Sequence, residues 1–232
     1  MKGLPEVSGG RVVTLDGPAG AGKSTVARRL ALNLGWRLLD TGAMYRAVTL
    51  AALRASLDMT QEAELARLVE TITVELPPSR VLLNGEDVSS LIRAAEVTEQ
   101  SRFAADSPSV RRRLATWQRA FAVGNDLVTE GRDQGTLVFP QAFRKYYLTA
   151  SDVERARRRS AEMAARGEPA DVDDVLRSLR ERDARDAARA IAPMTPAADA
   201  IIVDSTGLTI DQVVDFLAAD IRDRLSLRDL SS

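Results

Sequence analysis

The sequence predicts an α/β protein, with a three-layer α/β/α core built on a parallel sheet and a smaller inserted α+β subdomain. Three observations carry this expectation. Apolar strand-like runs alternate with helical periodicity, a glycine-rich turn joins the first run to the first helix, and the texture changes between residues 58 and 104. Residues 11–16 form an apolar run of strand character, and Leu, Ala and Val recur on one face of residues 23–34, which predicts a helix. Residues 37–40 read as a second short strand and 43–55 as a second helix, and this βαβα order calls for a parallel sheet. In the insert, a helix over 62–70 precedes β-like runs at 72–76 and 81–83, with Asn84-Gly85 as a turn signal. The α/β alternation then resumes with a helix over 109–123 and strands beginning at Leu127 and Lys145. Helices follow until a strand at 200–204 and a last helix at 210–225. The expected division is a core of residues 11–57 and 105–225, interrupted by the insert at 58–104.

Composition removes several kinds of chemistry. The 232 residues include no cysteine and no histidine, so disulfides, thiolate nucleophiles, histidine-based triads and histidine-ligated zinc are excluded. What remains is chemistry run by carboxylates, Arg, Lys and backbone. With 32 basic and 33 acidic residues the formal net charge is -1, and no global basic field exists to recruit nucleic acid or an anionic membrane. No apolar run approaches the roughly 20 residues that span a bilayer, and the first ten residues lack a signal-peptide core. A cytoplasmic protein is expected. Without a coiled-coil pattern or a long apolar helix face, it is expected to be a monomer.

The turn after the first strand is Gly17-Pro18-Ala19-Gly20-Ala21-Gly22-Lys23-Ser24, which fits G-x-x-x-x-G-K-[ST] between a strand and a helix. Glycines there let successive backbone N–H groups turn inward as an anion nest, and the helix N-terminus adds partial positive charge. Lys23 would reach the β and γ phosphates of a nucleotide, and the Ser24 hydroxyl would ligate Mg²⁺. Only three of the 32 basic residues are lysines, leaving 32 − 3 = 29 arginines. A lysine in this position therefore answers a need for a compact, flexible ammonium rather than a planar fork. The loop by itself says nucleotide binding and no more, since ATPases, GTPases and small-molecule kinases share it. No Asn-Lys-x-Asp guanine motif is present.

Arg-rich clusters near apparent strand ends are the remaining candidates. Residues 40–46 (Asp-Thr-Gly-Ala-Met-Tyr-Arg) follow the second strand, where α/β sheets place their ligand crevice. Arg46 is either a phosphate clamp or a solvated helix arginine. Residues 130–135 (Glu-Gly-Arg-Asp-Gln-Gly) follow the strand at Leu127, and the two glycines flanking Arg132-Asp133 permit close backbone approach to a ligand. Arg182, Asp186 and Arg189 stand at i, i+4 and i+7, which predicts one helical face, carrying either a ligand site or a salt-bridge ladder. Arg155, Arg157, Arg158, Arg159 and Arg166 form a further run, a candidate for a short helical lid over about 153–170.

Taken in order, residues 16–25, 38–46, 131–140, 181–189 and 200–205 resemble the bacterial cytidylate kinases, a nucleoside monophosphate kinase family of P-loop proteins, over about 11–225. The resemblance implies transfer of the γ-phosphoryl group of ATP to CMP or dCMP, with Mg²⁺, and a P-loop core whose insert binds the monophosphate. It implies that Gly17, Pro18, Ala19, Gly20, Ala21, Gly22, Lys23, Ser24 and Thr25 hold ATP, and that Arg46, Arg132 and Arg189 hold the acceptor phosphate. Arg111, Asp133 and Ser101 match positions that recognise cytosine, and Arg182 and Asp186 match positions that contact the pentose hydroxyls. Arg157 or Arg158 would neutralise charge on the transferring group. Thr41 stands where many relatives carry Ser, which keeps the hydroxyl in the CMP site. Two rival readings stay open on the residues alone: a kinase for another small acceptor (AMP, UMP, dTMP or shikimate), and a non-catalytic nucleotide-binding module.

Overall fold

A computed structural model of the protein describes residues 10–165, 167–189 and 191–229; Arg166 of the arginine run lies outside them. The chain divides into two compact units, one made of residues 10–38 and 124–229 and the other of Leu39–Val123. The 58–104 segment lies within the second unit, together with a helix on either side of it.

The first unit is built around β1 (Val12–Asp16), whose five residues are all buried. The sheet has five strands in the order β2 (Arg37–Asp40), β6 (Leu127–Glu130), β1, β7 (Arg144–Thr149), β8 (Ile201–Asp204). β1 pairs in parallel with β6 and β7, and β7 with β8, as the βαβ alternation requires. Alternation along the strands sends Val13, Leu15, Val128, Tyr146 and Leu148 to one face. There they meet Val26, Leu30 and Ala31 of α1 (Lys23–Leu34) and Val213, Leu217 and Ile221 of α8 (Ile210–Asp229). α1 stops at Gly35, whose left-handed backbone lets the Trp36 N–H reach the Ala31 carbonyl at 2.9 Å. α6 (Asp152–Ala164) and α7 (Val172–Ala187) pack on each other through a separate small cluster of Ala156, Val175 and Leu179.

In the second unit α2 (Thr41–Arg54) packs on α4 (Ala95–Asp106), and α3 (Glu62–Thr71) on α5 (Pro108–Ala122). β3 (Val74–Glu75), β4 (Leu82–Leu83) and β5 (Glu86–Asp87) form an antiparallel sheet. Asn84 and Gly85 turn β4 into β5 with φ of 50° and 82°, the paired positive values of a two-residue hairpin. The Asn84 side chain accepts the Thr73 N–H at 2.8 Å, which ties the hairpin to the residue before β3. α2 begins two residues earlier than periodicity suggests because Asp40 caps it, accepting the Ala43 N–H at 2.8 Å. Ser107 and Pro108 start α5 in the same way, Ser107 as cap and Pro108 in the first turn.

Candidate active site

The phosphate loop runs from the end of β1 to the start of α1. Gly17, at φ 138°, passes so close to β7 that a Cβ would lie 2.0 Å from the Leu148 carbonyl oxygen. Lys23 is 5% exposed and its Nζ donates to the Pro18 carbonyl at 2.6 Å, folding the side chain back over the loop. Burial holds its pKa well below the ordinary lysine range; the charge of Arg132 pushes the same way, and Glu130 opposes. Ser24 Oγ donates to Glu130 Oε1, 3.1 Å away at the carboxyl end of β6. This pair of hard oxygens suits a divalent cation that keeps most of its other bonds to water and phosphate. Among the described residues no cluster of three or more acidic side chains is placed to cage a metal. A cation here would therefore depend on Ser24, Glu130 and the phosphates of its nucleotide.

The Arg132-Asp133 loop is fixed from β1. Asp16, the last residue of that strand, accepts the Gln134 N–H at 2.9 Å and the Gly135 N–H at 2.7 Å. Those amides open a π-helical turn over Gln134–Val138, and the buried Thr129 hydroxyl donates to Gln134 Oε1 at 3.0 Å from the other side. Asp133, 6% exposed, precedes the turn. Burial pushes the Asp16 carboxyl up to about 6; the two amide hydrogen bonds offset part of that effect. Raised above its unfolded value of 3.8, this group stabilises the fold least at high pH. The difference in unfolding free energy between wild type and Asp16→Asn is expected to fall by up to roughly 3 kcal/mol as pH rises from about 3 to about 7, and to stay flat above that. Urea unfolding of both proteins across that range checks it, and a constant difference would refute it.

Arg132, Asp186 and Arg189 form one ion cluster. Arg132 Nε donates to Asp186 Oδ2 at 3.1 Å, and Arg189 Nη2 lies 2.6 Å from Asp186 Oδ1. Arg189 is not on the helical face that its spacing predicts. α7 ends at Ala187, the Ala188 N–H closes its last turn on the Ala184 carbonyl, and the chain turns so that the Met194 N–H reaches the Asp186 carbonyl. The pairing survives because the side chain still reaches back over three residues. Arg182 keeps an exposed surface yet is crowded, and its pKa is lowered to about 10, first by loss of hydration and then by the charge of Arg132, with Asp186 opposing.

Along α6 the arginines separate. Arg157 is exposed, with Glu154 3.5 Å away. Arg158 donates to Glu154 at 2.9 Å and to the Ser205 hydroxyl and carbonyl at 3.0 and 2.6 Å. Arg155 is 4% exposed and donates to the Ala19 carbonyl of the phosphate loop at 2.8 Å.

In the second unit Thr41 is buried at the start of α2. Arg46, on the same helix, lies 3.8 Å from the capping carboxylate of Asp40, and its buried Nε has no partner. Arg111, 5% exposed on α5, donates to the Ala105 carbonyl at 2.9 Å. The Ser101 hydroxyl donates to the Thr98 carbonyl of its own helix at 2.8 Å, so its lone pairs are what it offers a ligand.

Three residues with a place in this geometry carry no role by motif alone: Asp16, Glu130 and Asp183, whose Oδ1 accepts the Ala19 N–H of the phosphate loop; the sequence offers Arg155 only as one of the lid arginines. For Asp16 and Glu130 a signal exists, since each is an acidic residue ending an apolar strand of a parallel sheet, beside the ligand crevice. For Asp183, and for the contact of Arg155 with the phosphate loop, the signal is spatial only.

A glycine-rich loop that buries a lysine at the carboxyl end of the central parallel strand, beside a carboxylate-organised arginine cluster, defines a kinase of the P-loop class. The family model described as cytidylate kinase matches residues 13–223. The chain belongs to the cytidylate kinase family. It is 44% identical to the cytidylate kinase of Shewanella loihica over 92% of this chain and 95% of that protein. To the cytidylate kinase of Bordetella bronchiseptica it is 47% identical over 88% of this chain and 91% of that protein. Among solved structures, an uncharacterized protein from Eubacterium ventriosum has a TM-score of 0.50 at 13% identity, covering 91% of this chain and 98% of that one, a likeness of fold alone. Among the described residues no helix is long and apolar enough to cross a membrane.

Proposed function

We propose that the chain transfers the γ-phosphoryl group of ATP to CMP or dCMP, giving ADP and CDP or dCDP in pyrimidine nucleotide metabolism. The observation that carries this reading is the presence, in one unit, of the phosphate loop and of a second cationic group, Arg132, Arg182 and Arg189 around Asp186. A nucleotide-binding module has no need of the second group. Phosphoryl transfer needs positioning and charge neutralisation rather than a covalent intermediate, and here it is direct. An oxygen of the acceptor phosphate attacks the γ-phosphorus in line as the bond to the β–γ bridging oxygen breaks, and ADP leaves.

Residues 17–25 hold the ATP phosphates, with Lys23 on the β and γ groups. Mg²⁺, held by Ser24 and Glu130, neutralises phosphate charge when bound. Arg132 and Arg189 hold the acceptor phosphate, and fixed arginine forks give its oxygen a defined direction; the family resemblance gives Arg46 a phosphate-holding role as well. Arg182 and Asp186 bind the pentose. Asp133 accepts from the exocyclic amine of cytosine; the family resemblance gives Arg111 and Ser101 a role in recognising the base and Thr41 one in binding CMP. Residues 153–170 close as a lid that excludes water, with Arg157 or Arg158 brought to the transferring group. The 58–104 insert serves the monophosphate. The protein acts as a cytoplasmic monomer, without nucleic acid or membrane partners.

An ADP-release assay with a panel of acceptors tests the assignment. CMP and dCMP should be preferred over UMP, AMP, dTMP and shikimate, and hydrolysis indifferent to CMP would refute it. Asp133→Asn is expected to lower kcat/KM for CMP about 100-fold while leaving UMP turnover unchanged or raised, because a buried acceptor has been traded for a group that also donates. An equal fall for both acceptors would remove Asp133 from base recognition.

A further inference from the structure

The peptide groups at the mouth of the phosphate loop are held from outside, by the helices α6 and α7. Asp183 Oδ1 accepts the Ala19 N–H at 3.2 Å, and Arg155 Nη1 donates to the Ala19 carbonyl at 2.8 Å. The two side chains also pair with each other, Arg155 Nη1 with Asp183 Oδ2. Arg155 Nη2 is anchored to Asp152 Oδ1 at 2.5 Å, and Arg180 Nε reaches the other oxygen of Asp152 at 3.0 Å. Ala19 itself, 6% exposed, packs into the Ala156, Val175 and Leu179 cluster that joins the two helices. Gly20 fits against the arginine, since a Cβ there would lie 3.1 Å from the Arg155 Cβ and carbonyl oxygen.

These contacts fix two successive peptide planes. In a trans peptide the C=O and N–H point in opposite directions, so holding one end orients the other. The Pro18–Ala19 plane has its carbonyl on Lys23 Nζ and its N–H on Asp183. The Ala19–Gly20 plane has its carbonyl on Arg155, which turns the Gly20 N–H to the opposite side. An anion nest works only while its amides converge, and their directions follow from these planes.

We propose that Arg155 and Asp183 are positioning residues for the nucleotide, acting through the Ala19 peptide groups to keep the phosphate loop in its binding shape. The proposal rests on the reading that this loop holds ATP and ADP. It separates Arg155 from Arg157 and Arg158, which make no such contact: Arg155 is committed to the loop.

Calorimetric titration of the full-length protein with ADP and, separately, with CMP tests it. Arg155→Met and Asp183→Leu are each expected to weaken ADP by at least about tenfold, as expected for losing a charge-assisted hydrogen bond at a buried site, and to leave CMP affinity within about threefold. Because either single change strands a buried charge, the double variant Arg155→Met/Asp183→Leu removes both and keeps the fold testable. Asp183→Asn retains an acceptor for the Ala19 N–H and should recover most of the ADP affinity lost in Asp183→Leu. Wild-type ADP affinity in the folded double variant overturns the proposal, as does equal weakening of ADP and CMP. A wild-type protein that binds CMP but not ADP overturns the nucleotide reading itself.

Discussion

Lys23→Ala is expected to lower kcat by about 1,000-fold or more at saturating ATP and CMP, the scale reached when a preorganised charge at a transferring group is removed. The buried ammonium sits in an environment that resists charge, its Nζ donating to the Pro18 carbonyl. Arriving phosphates supply the compensation that the free protein withholds, and the lysine interacts most strongly as negative charge builds on the leaving β–γ bridging oxygen during transfer. For the same reason the loss should spare the fold. An ion held against desolvation contributes little to stability, and the variant is expected to unfold within a few degrees of the wild type. Lys23→Arg should not restore turnover, because a planar fork does not fit a pocket closed over a single Nζ. A coupled assay with thermal unfolding checks both halves, and full activity in the alanine variant would remove Lys23 from the chemistry.

The second large effect is expected at Arg132. Arg132→Ala should lower kcat/KM for CMP by about 1,000-fold, the scale of truncating one member of a desolvated charged pair, with little change in ADP affinity. Its guanidinium is gripped by Asp186 and by the Gly131 carbonyl at 3.0 Å, and it stands on a loop that Asp16 ties to β1. Arg132→Lys should recover little, because a point charge cannot keep the Asp186 contact and also present a fork to a phosphate. Arg132 also depresses the pKa of Lys23, so its removal should raise the lysine's pKa. Comparable losses for ADP and CMP would recast Arg132 as a structural arginine.

Much of the core is legible in the sequence because its signals are local and mutually consistent. The apolar run before Gly17, the spacing to Lys23 and the periodicity of α1 each depend on a few neighbouring residues, and Asn84-Gly85 specifies its hairpin unaided. α4 is not legible: it begins at Ala95 after Ala94, which offers no side-chain cap, and it buries little beyond Val97 and Ala104. β5 escapes because it is two exposed acidic residues whose strand character comes only from pairing with β4. The arginine run of α6 shows the limit most directly. Four of five successive residues, 155 and 157–159, are arginines, and nothing local says that Arg155 turns inward while Arg157 faces water. That choice is made by Ala156 packing against Val175 and Leu179 of another helix. Likewise Arg189 looks helical by spacing, and only the turn that brings Met194 back to Asp186 shows otherwise.

Asp186 has a consequence of its own. Arg132 and Arg189 share this one carboxylate, and Arg182 is crowded beside them. Three guanidinium groups gathered without an anion would repel one another and drift apart into water. The internal counter-ion lets folding, rather than substrate capture, overcome most of that repulsion. An arriving monophosphate then meets cations already in place, with little solvent or side-chain reorganisation left to oppose the reaction.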